Sequence, residues 1–257
     1  MAVALTAETL SSAVAEALAP ERLFQPTAYG VEGALPLVAV RPSSVEEVSA
    51  VLAVASRLGA AVVPWGGGTR MDLGSPPRRY HVGLDLRGLD QVVEHNPADL
   101  TATAQAGSTL AALQRALAGA EQFLPLDPPL PQRATIGGTL AVGTAGPLRF
   151  AFNLPRDLLL GCRAVHADGT VTKSGGKVVK NVTGYALEKM YVGSLGTLAV
   201  IVEATFKIAP LPREERTILA SFSKPEDAVS AALGLYRRSL GLLAVEVLNE
   251  RAWDHLQ

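Results

Sequence analysis

A single cysteine, Cys162, among 257 residues excludes an internal disulfide, a zinc site built from several cysteines and an iron–sulfur cluster held by this chain alone. Charge is scarce as well. Only 18% of residues are charged, and 23 Lys and Arg against 24 Asp and Glu leave a formal charge of -1. So even a balance lacks the concentrated basic charge of a phosphate-backbone binder, and no nucleic-acid partner is expected. His81, His95, His166 and His255 show no metal-ligand spacing, so no metal is expected either. No uncharged apolar run is long enough to cross a bilayer. Met1 to Leu10 holds no Lys or Arg and carries Glu8, so the basic start of a secretory signal is missing. The expectation is a cytoplasmic, soluble protein that meets a membrane only through partners. The 24 Gly and 17 Pro show no fixed period, which excludes collagen-like and repeat architectures. Apolar residues, in contrast, make up 48% of the chain, enough for a substantial core in one large domain or two small ones.

Hydrophobic spacing outlines the elements. Leu10, Val14 and Leu18 form a helical stripe closed by Pro20. Leu37 to Arg41 reads as a short strand. Ser43 and Glu46 then read as a capping box for a helix with Val45, Val48, Leu52 and Ala55 on one face. Ala60 to Trp65 is rich in small and β-branched residues, a buried strand that runs straight into Gly66-Gly67-Gly68-Thr69. Three short strand-like runs follow, His81 to Leu86, Gln91 to His95 and Thr101 to Ala106. Ser108 caps a helix carrying Leu110, Leu113 and Leu117. A stiff stretch with four prolines, Pro125 to Pro131, leads to a second glycine turn at Gly137-Gly138. Leu158 to His166 and Thr170 to Lys173 read as a hairpin with a type I′ turn at Asp168-Gly169. Ala186 to Val192 reads as a short helix, and Leu198 to Ile208 is the longest β-rich run. After Pro210 and Pro212 the pattern is β-α-β: Arg216 to Phe222, a helix opened by Ser223 and Glu226, and Leu242 to Leu248.

Glycine clusters cost backbone entropy, so a cluster after a buried strand needs a reason. The ordinary reason is a tight turn. The sharper one is that bare backbone lets amide N–H groups approach a phosphate. Glycine loops recur at 66–68, 137–138, 143–146, 175–176 and 193–196, as a ligand with a long anionic stem would require. A Rossmann fingerprint fails, because the chain after Gly68 reads Thr-Arg-Met-Asp-Leu-Gly-Ser-Pro-Pro and cannot open a long helix. A P-loop fails because Gly176-Lys177 is followed by Val178, not by a hydroxyl for magnesium.

Pro64-Trp65-Gly66-Gly67-Gly68-Thr69 resembles the pyrophosphate loop of the vanillyl-alcohol-oxidase, or p-cresol-methylhydroxylase (PCMH), class of FAD-binding domains. Ala134 to Gly138 is similar to the second flavin loop of that class, and Gly193 to Val202 to its closing strand. Asp157 to Gly161, Ala167 to Thr170 and Gly176 to Tyr185 are similar, in that order, to the glycolate oxidase FAD-binding subunit. The Lys-Asn-Val-Thr-Gly-Tyr stretch narrows the likeness to the glycolate oxidase and D-lactate dehydrogenase branch. The match covers roughly residues 35–210.

This resemblance implies an α+β, two-subdomain PCMH-type fold over residues 1–212, divided near 105, with FAD between the halves. Residues 213–257 would form a short β-α-β cap remnant. The implied cofactor-binding residues start with Pro64 and Trp65, continue along the pyrophosphate with Gly66, Gly67, Gly68, Thr69 and Arg70, and include Pro128. Thr135, Ile136, Gly137, Gly138, Ala145 and Gly146 would serve the flavin-ring end, and Val200 and Ile201 the buried cofactor through their backbone. Relatives with covalent flavin carry a His where Thr69 stands, so non-covalent FAD is expected.

Two departures stand out in the closing motif, which usually reads Gly-Ser-Glu-Gly-Thr-Leu-Gly. Leu195 replaces the Glu and Ala199 the last Gly. Catalytic members carry a large C-terminal cap that supplies substrate ligands, whereas one β-α-β unit follows Pro212 here, so no catalytic residue is assigned. The resemblance implies the FAD-binding subunit of a glycolate oxidase-like complex that oxidises a small 2-hydroxy acid to a 2-oxo acid. Its partners would be a larger flavin subunit and an iron–sulfur subunit. The alternative is a structural or electron-relay subunit that keeps the fold and binds FAD weakly or not at all. A third reading, a reductase with a nicotinamide donor, finds no donor site in the sequence. Lys177, Lys180, Arg149 and Arg156 read as a solvated basic rim ahead of a carboxylate clamp. His166 reads as a surface or core histidine, Cys162 as a small buried hydrophobe, Tyr185 as core or cofactor neighbour, and Trp65 as a wall of the pyrophosphate loop.

Overall fold

The Thr6 hydroxyl accepts the Thr9 amide and opens α1 (Ala7–Ala15), which buries Leu10 and Val14. A computed structural model describes residues 5–176, 186–238 and 240–254. The expectations placed on Lys177, Lys180, Tyr185 and His255 lie outside the described residues. Two short strands, β1 (Leu23–Phe24) and β2 (Val38–Val40), precede α2 (Val45–Arg57). Ser44, not Ser43, is the N-cap of α2, and its hydroxyl accepts the Glu47 amide. The box is displaced by one residue, with the Glu47 carboxylate returning to the Ser43 amide. The helix presents Val45, Val48, Val51 and Leu52 to the core, each worth ~1.5–3 kcal/mol when fully buried. The chain then enters β3 (Val62–Trp65) and β4 (Val82–Asp85). The resulting sheet has the order β1-β2-β4-β3, with β2, β4 and β3 parallel and β1 antiparallel to β2. Its parallel strands therefore all end on the same edge.

A second sheet begins with β5 (Val92–Asn96) and β6 (Thr101–Gln105). These strands lie before residue 105, yet they pair with the later part of the chain, so the sheets part near Leu89. Thr109 caps α3 (Leu110–Ala118), one residue beyond the expected Ser108. Next come β7 (Gln122–Phe123), α4 (Ile136–Val142), α5 (Arg149–Phe152) and α6 (Pro155–Leu158). The hairpin of β8 (Leu159–Val165) and β9 (Val171–Gly175) forms as its sequence suggests, with a different turn. Its loop spans 166–170, the His166 amide donates to the Thr170 carbonyl, and only Gly169 has positive φ, whereas type I′ needs two such residues. Leu187–Met190 is a 3-10 turn in place of the expected helix. The long run becomes β10 (Val200–Lys207), and a two-residue β11 (Ala209–Pro210) pairs with β7. All neighbours in the order β5-β6-β10-β8-β9 are antiparallel.

One core lies under the second sheet, where Leu113, Leu117, Ile136, Leu140 and Phe206 are fully buried. The other lies between α1, α2 and the first sheet, and it takes in Val165, Val200 and Val202 of the second. The subdomains thus share apolar packing instead of meeting across a wet seam.

The expected β-α-β unit at the C-terminal end is not formed. The stretches 216–222 and 242–248 have no strand pairing, and the described elements are α7 (Pro225–Arg237) and α8 (Glu250–Asp254). The α7 N-cap is Lys224, with no side-chain bond from the expected Ser223. A lone parallel pair has too little neighbouring sheet to hold it, and here neither edge of the two main sheets accepts these segments. Among the described residues, no helix is long and apolar enough to cross a membrane.

Candidate functional site

Parallel pairing sets Pro64 opposite Leu84 and Trp65 opposite Asp85, so β3 releases its loop at the carboxyl edge of the sheet. That edge is where parallel sheets bind ligands. Gly67 runs so close to the second glycine segment that a Cβ there would overlap the Arg133 carbonyl. The Arg133 guanidinium returns to donate to the Gly67 carbonyl at 3.2 Å. Gly68 has φ +65° and lies on the Trp65 indole. The amides of Gly67, Gly68, Thr69 and Arg70 donate to no acceptor among the described residues. A run of unspent amides on a tight turn is an anion cradle in its own right.

The floor of this loop is braced. Trp65 Nε1–H donates to the Tyr80 hydroxyl at 2.6 Å, and that hydroxyl donates to the Tyr29 carbonyl at 2.9 Å. The Tyr29 ring meets the indole edge-on at 5.3 Å, and its hydroxyl donates to Asp85 Oδ2 at 2.7 Å. Asp85 is fully buried and also takes hydrogen bonds from Arg41 and Arg87. Burial alone would raise its pKa, but the donors, Arg87 foremost, outweigh burial and hold the carboxyl below the usual carboxylate range. Burial pushes the Tyr80 phenol up to about 12, so it stays a neutral donor and acceptor.

Across from the loop, α4, the 195–197 turn and β10 complete a cleft of about 430 Å³. Of the residues singled out in the sequence, Pro64 to Arg70, Pro128, Thr135, Gly137, Gly138, Val200 and Ile201 all line it. Ile136 does not, because its side chain is fully buried in the core beneath α4. Ala145 and Gly146 do not either. Gly146 is packed on Asp127, whose carboxylate accepts the Leu148 amide at 2.9 Å. Arg149 and Arg156 are exposed and stand outside the cleft. Of the other glycine turns, 196 reaches the cleft, whereas 175–176 line a separate depression beside Arg163 and Glu203.

The second glycine turn has a different physical role from the first. Its amides are spent within the chain: Ile136 on the Ser108 carbonyl, Gly137 on the Ala106 carbonyl, Gly138 on the Thr135 hydroxyl. Gly137 is bare because a Cβ would come within 2.7 Å of the Ala106 methyl. These residues give the cleft a close-packed wall, not donors. Sequence reasoning missed Val31 and Glu32, Met71 to Ser75, and Thr139 to Thr144 along one face of α4 and beyond it, of which all but Asp72, Leu140 and Gly143 line the cleft. It also missed Leu195 to Thr197, although the closing motif already contained them. Leu195 holds φ +52° and its amide donates to the Ala141 carbonyl at 2.8 Å.

The cleft thus combines unspent amides, close-packed walls and few charges. One further feature suits an enclosed ligand with polar atoms: the Thr139 hydroxyl, buried on the cleft wall, has no partner among the described residues. The FAD binding domain family model matches residues 36–175, which takes in both glycine segments. The chain belongs to the FAD binding domain family. Its cofactor is FAD, and the residues present fit that group. Glycolate oxidase subunit GlcD of Bacillus subtilis is 30% identical over 84% of this chain and 46% of its own length. D-lactate dehydrogenase of Archaeoglobus fulgidus is 33% identical over 90% of this chain and 54% of its own. Glycolate oxidase subunit GlcE of Escherichia coli is 39% identical over 56% of this chain and 41% of its own. The chain therefore spans about half the length of these relatives. Among solved structures, alkyldihydroxyacetonephosphate synthase superposes with a TM-score of 0.70 at 21% identity, over 80% of this chain and 41% of that one. Physcomitrella patens BBE-like 1 gives 0.64 at 25% identity, over 78% and 44%. These likenesses confirm the PCMH-type FAD-binding fold.

Proposed function

We propose that this FAD binding domain holds its cofactor without a covalent bond and serves a flavoenzyme that oxidises a 2-hydroxy acid to a 2-oxo acid. The observation that carries the reading is the set of unspent amides at Gly67, Gly68, Thr69 and Arg70, placed to receive a diphosphate. Arg70 adds a positive charge beside them. Thr69 brings a hydroxyl, not an imidazole, so it offers no nitrogen for a bond to the flavin. Pro128, Thr135, Gly137 and Gly138 form the wall for the flavin-ring end, with Val200 and Ile201 along the cofactor. Ile136, Ala145 and Gly146 support that wall from outside the cleft. When bound, FAD supplies a two-electron acceptor for the hydride leaving the hydroxylated carbon. The chain's own part is to bind the dinucleotide, orient it and exclude water from it.

The substrate class rests on the relatives, whose names are those of glycolate, D-lactate and D-2-hydroxyglutarate enzymes. Two of them are named as subunits. We place this domain in a complex as well, and for its partners we propose a larger flavin subunit and an iron–sulfur subunit.

The purified chain is tested first for a flavin spectrum, then for anaerobic bleaching by glycolate, D-lactate and D-2-hydroxyglutarate, alone and with added partner subunits. A yellow protein bleached by one of these acids is expected. A colourless chain that takes up no added FAD refutes the reading and leaves a structural subunit. A yellow chain that no 2-hydroxy acid bleaches, with or without partners, refutes the substrate class alone.

A further inference from the structure

The glycine loop does not rest on a flat floor. It is folded over one side chain, the Trp65 indole. A Cβ at Gly68 would stand 3.1 Å from the ring's Cζ3, so the backbone of the turn is in close packing with it. Where the indole sits, the loop sits. The indole sits in an apolar cluster with Val31 and Ala39, and two ring contacts bear most directly on its orientation. One is the edge-on Tyr29 ring at 5.3 Å, which constrains position but not rotation. The other is directional: Nε1–H donates to the Tyr80 hydroxyl at 2.6 Å, and Tyr80 itself donates to the Tyr29 carbonyl at 2.9 Å. Tyr80 is buried, and it lies outside the cleft lining, so it cannot act on a ligand directly. Removal of its oxygen would leave a buried indole N–H and a buried carbonyl without this partner, and the indole without its directional tether.

We propose that Tyr80 is a positioning residue for the dinucleotide: its hydroxyl, clamped between the Trp65 indole and the Tyr29 carbonyl, orients the ring on which the 66–68 turn is laid and thereby sets the amides that receive the diphosphate. The proposal rests on the reading of the cleft as the FAD site. It assigns a role in cofactor affinity to a side chain that no cofactor touches.

The test separates positioning from plain stability. Tyr29 is the control, since Tyr29→Phe removes a hydrogen bond to Asp85 from the same cluster and leaves the Trp65–Tyr80–Tyr29 carbonyl chain whole. FAD is titrated into the flavin-free chain well below its melting midpoint, with Kd read from quenching of flavin fluorescence. Both variants are expected to melt earlier than the unaltered chain. Only Tyr80→Phe is expected to weaken FAD binding, by about tenfold, the size of one lost hydrogen bond. Trp65→Phe lacks the N–H but also loses part of a ring that lines the cleft, so it is expected to weaken binding at least as much; in that background Tyr80→Phe is expected to add nothing further, and this comparison carries the test if Tyr80→Phe alone does not fold.

A spectroscopic reading comes from the indole. The chain has two tryptophans, so Trp253→Phe leaves Trp65 as the lone reporter. In that background Tyr80→Phe is expected to shift indole emission to the blue before any FAD is added. Equal FAD affinity in Tyr80→Phe and the unaltered chain overturns the proposal, as does equal weakening by Tyr29→Phe. Failure of the unaltered chain to take up FAD overturns the reading of the cleft, and this proposal with it.

Discussion

The Arg133 carbonyl occupies the space where a side chain on Gly67 would begin, and the Arg133 guanidinium closes back on the Gly67 carbonyl. Gly67 is therefore the point at which the two walls of the cleft are pressed together. Its lack of a side chain serves loop-to-loop contact as well as access for an anion. Gly67→Ala is expected to part the loops, cost ~2 kcal/mol or more of stability and reduce FAD retention about tenfold. Gly119→Ala is the control, because a Cβ there meets nothing within 4 Å and φ is helical. Melting midpoints and flavin content of the two purified variants check this.

Leu195 sits at φ +52° on the turn that closes the cleft, and it is half exposed. A left-handed conformation strains a branched side chain by ~1–2 kcal/mol, part of which glycine returns as unfolded-state entropy. Leu195→Gly should therefore raise stability by a net ~0.5–1 kcal/mol. Urea unfolding reads the difference, and a lower midpoint would show that the leucine's contacts across the cleft mouth outweigh the strain.

Asp85 is the one buried carboxylate that binds two arginines, Arg41 and Arg87, among the described residues. Asp85→Asn leaves both guanidinium groups without their anion and is expected to cost ~3–5 kcal/mol. The pH dependence follows from the direction of its shift. Its folded pKa lies below the ordinary value of 3.8, so its contribution is complete above that value and is lost as pH falls through the folded pKa. Acid unfolding curves should show the unaltered chain losing stability below about pH 4 and the Asn variant missing that step.

Cys162 is buried in the core under the second sheet, and burial, helped by the negative charge of Glu188, pushes its thiol up to about 12. Native protein should react with a thiol reagent such as DTNB far more slowly than denatured protein at pH 8, because the thiolate is both rare and covered. A fast native reaction would mean that the β8 strand opens readily.

The elements were legible where local pattern and tertiary demand agree. The Val45, Val48, Leu52 stripe gave α2, and Ala60 to Trp65 gave β3 with its glycine loop, because a buried strand and a bare turn leave marks in consecutive residues. The β-α-β reading after Pro212 failed for the opposite reason. Apolar alternation makes a strand only when an edge accepts it, and residues 216–222 and 242–248 have no such edge. The division near 105 failed likewise: β5 and β6 look like a continuation of the first sheet until β10, about a hundred residues later, claims β6 as its neighbour.

The sequence by itself determined that a glycine-rich turn follows a buried strand and that the order of motifs is that of FAD-binding domains. Those features are consecutive in the chain, so spacing reveals them. Only the tertiary structure decided which amides remain free. Among the described residues, Gly67, Gly68, Thr69 and Arg70 keep theirs while Ile136, Gly137 and Gly138 spend theirs on Ser108, Ala106 and Thr135. Two glycine turns of equal appearance part company there, because a hydrogen bond depends on which acceptor folding brings within reach, and no local pattern records that.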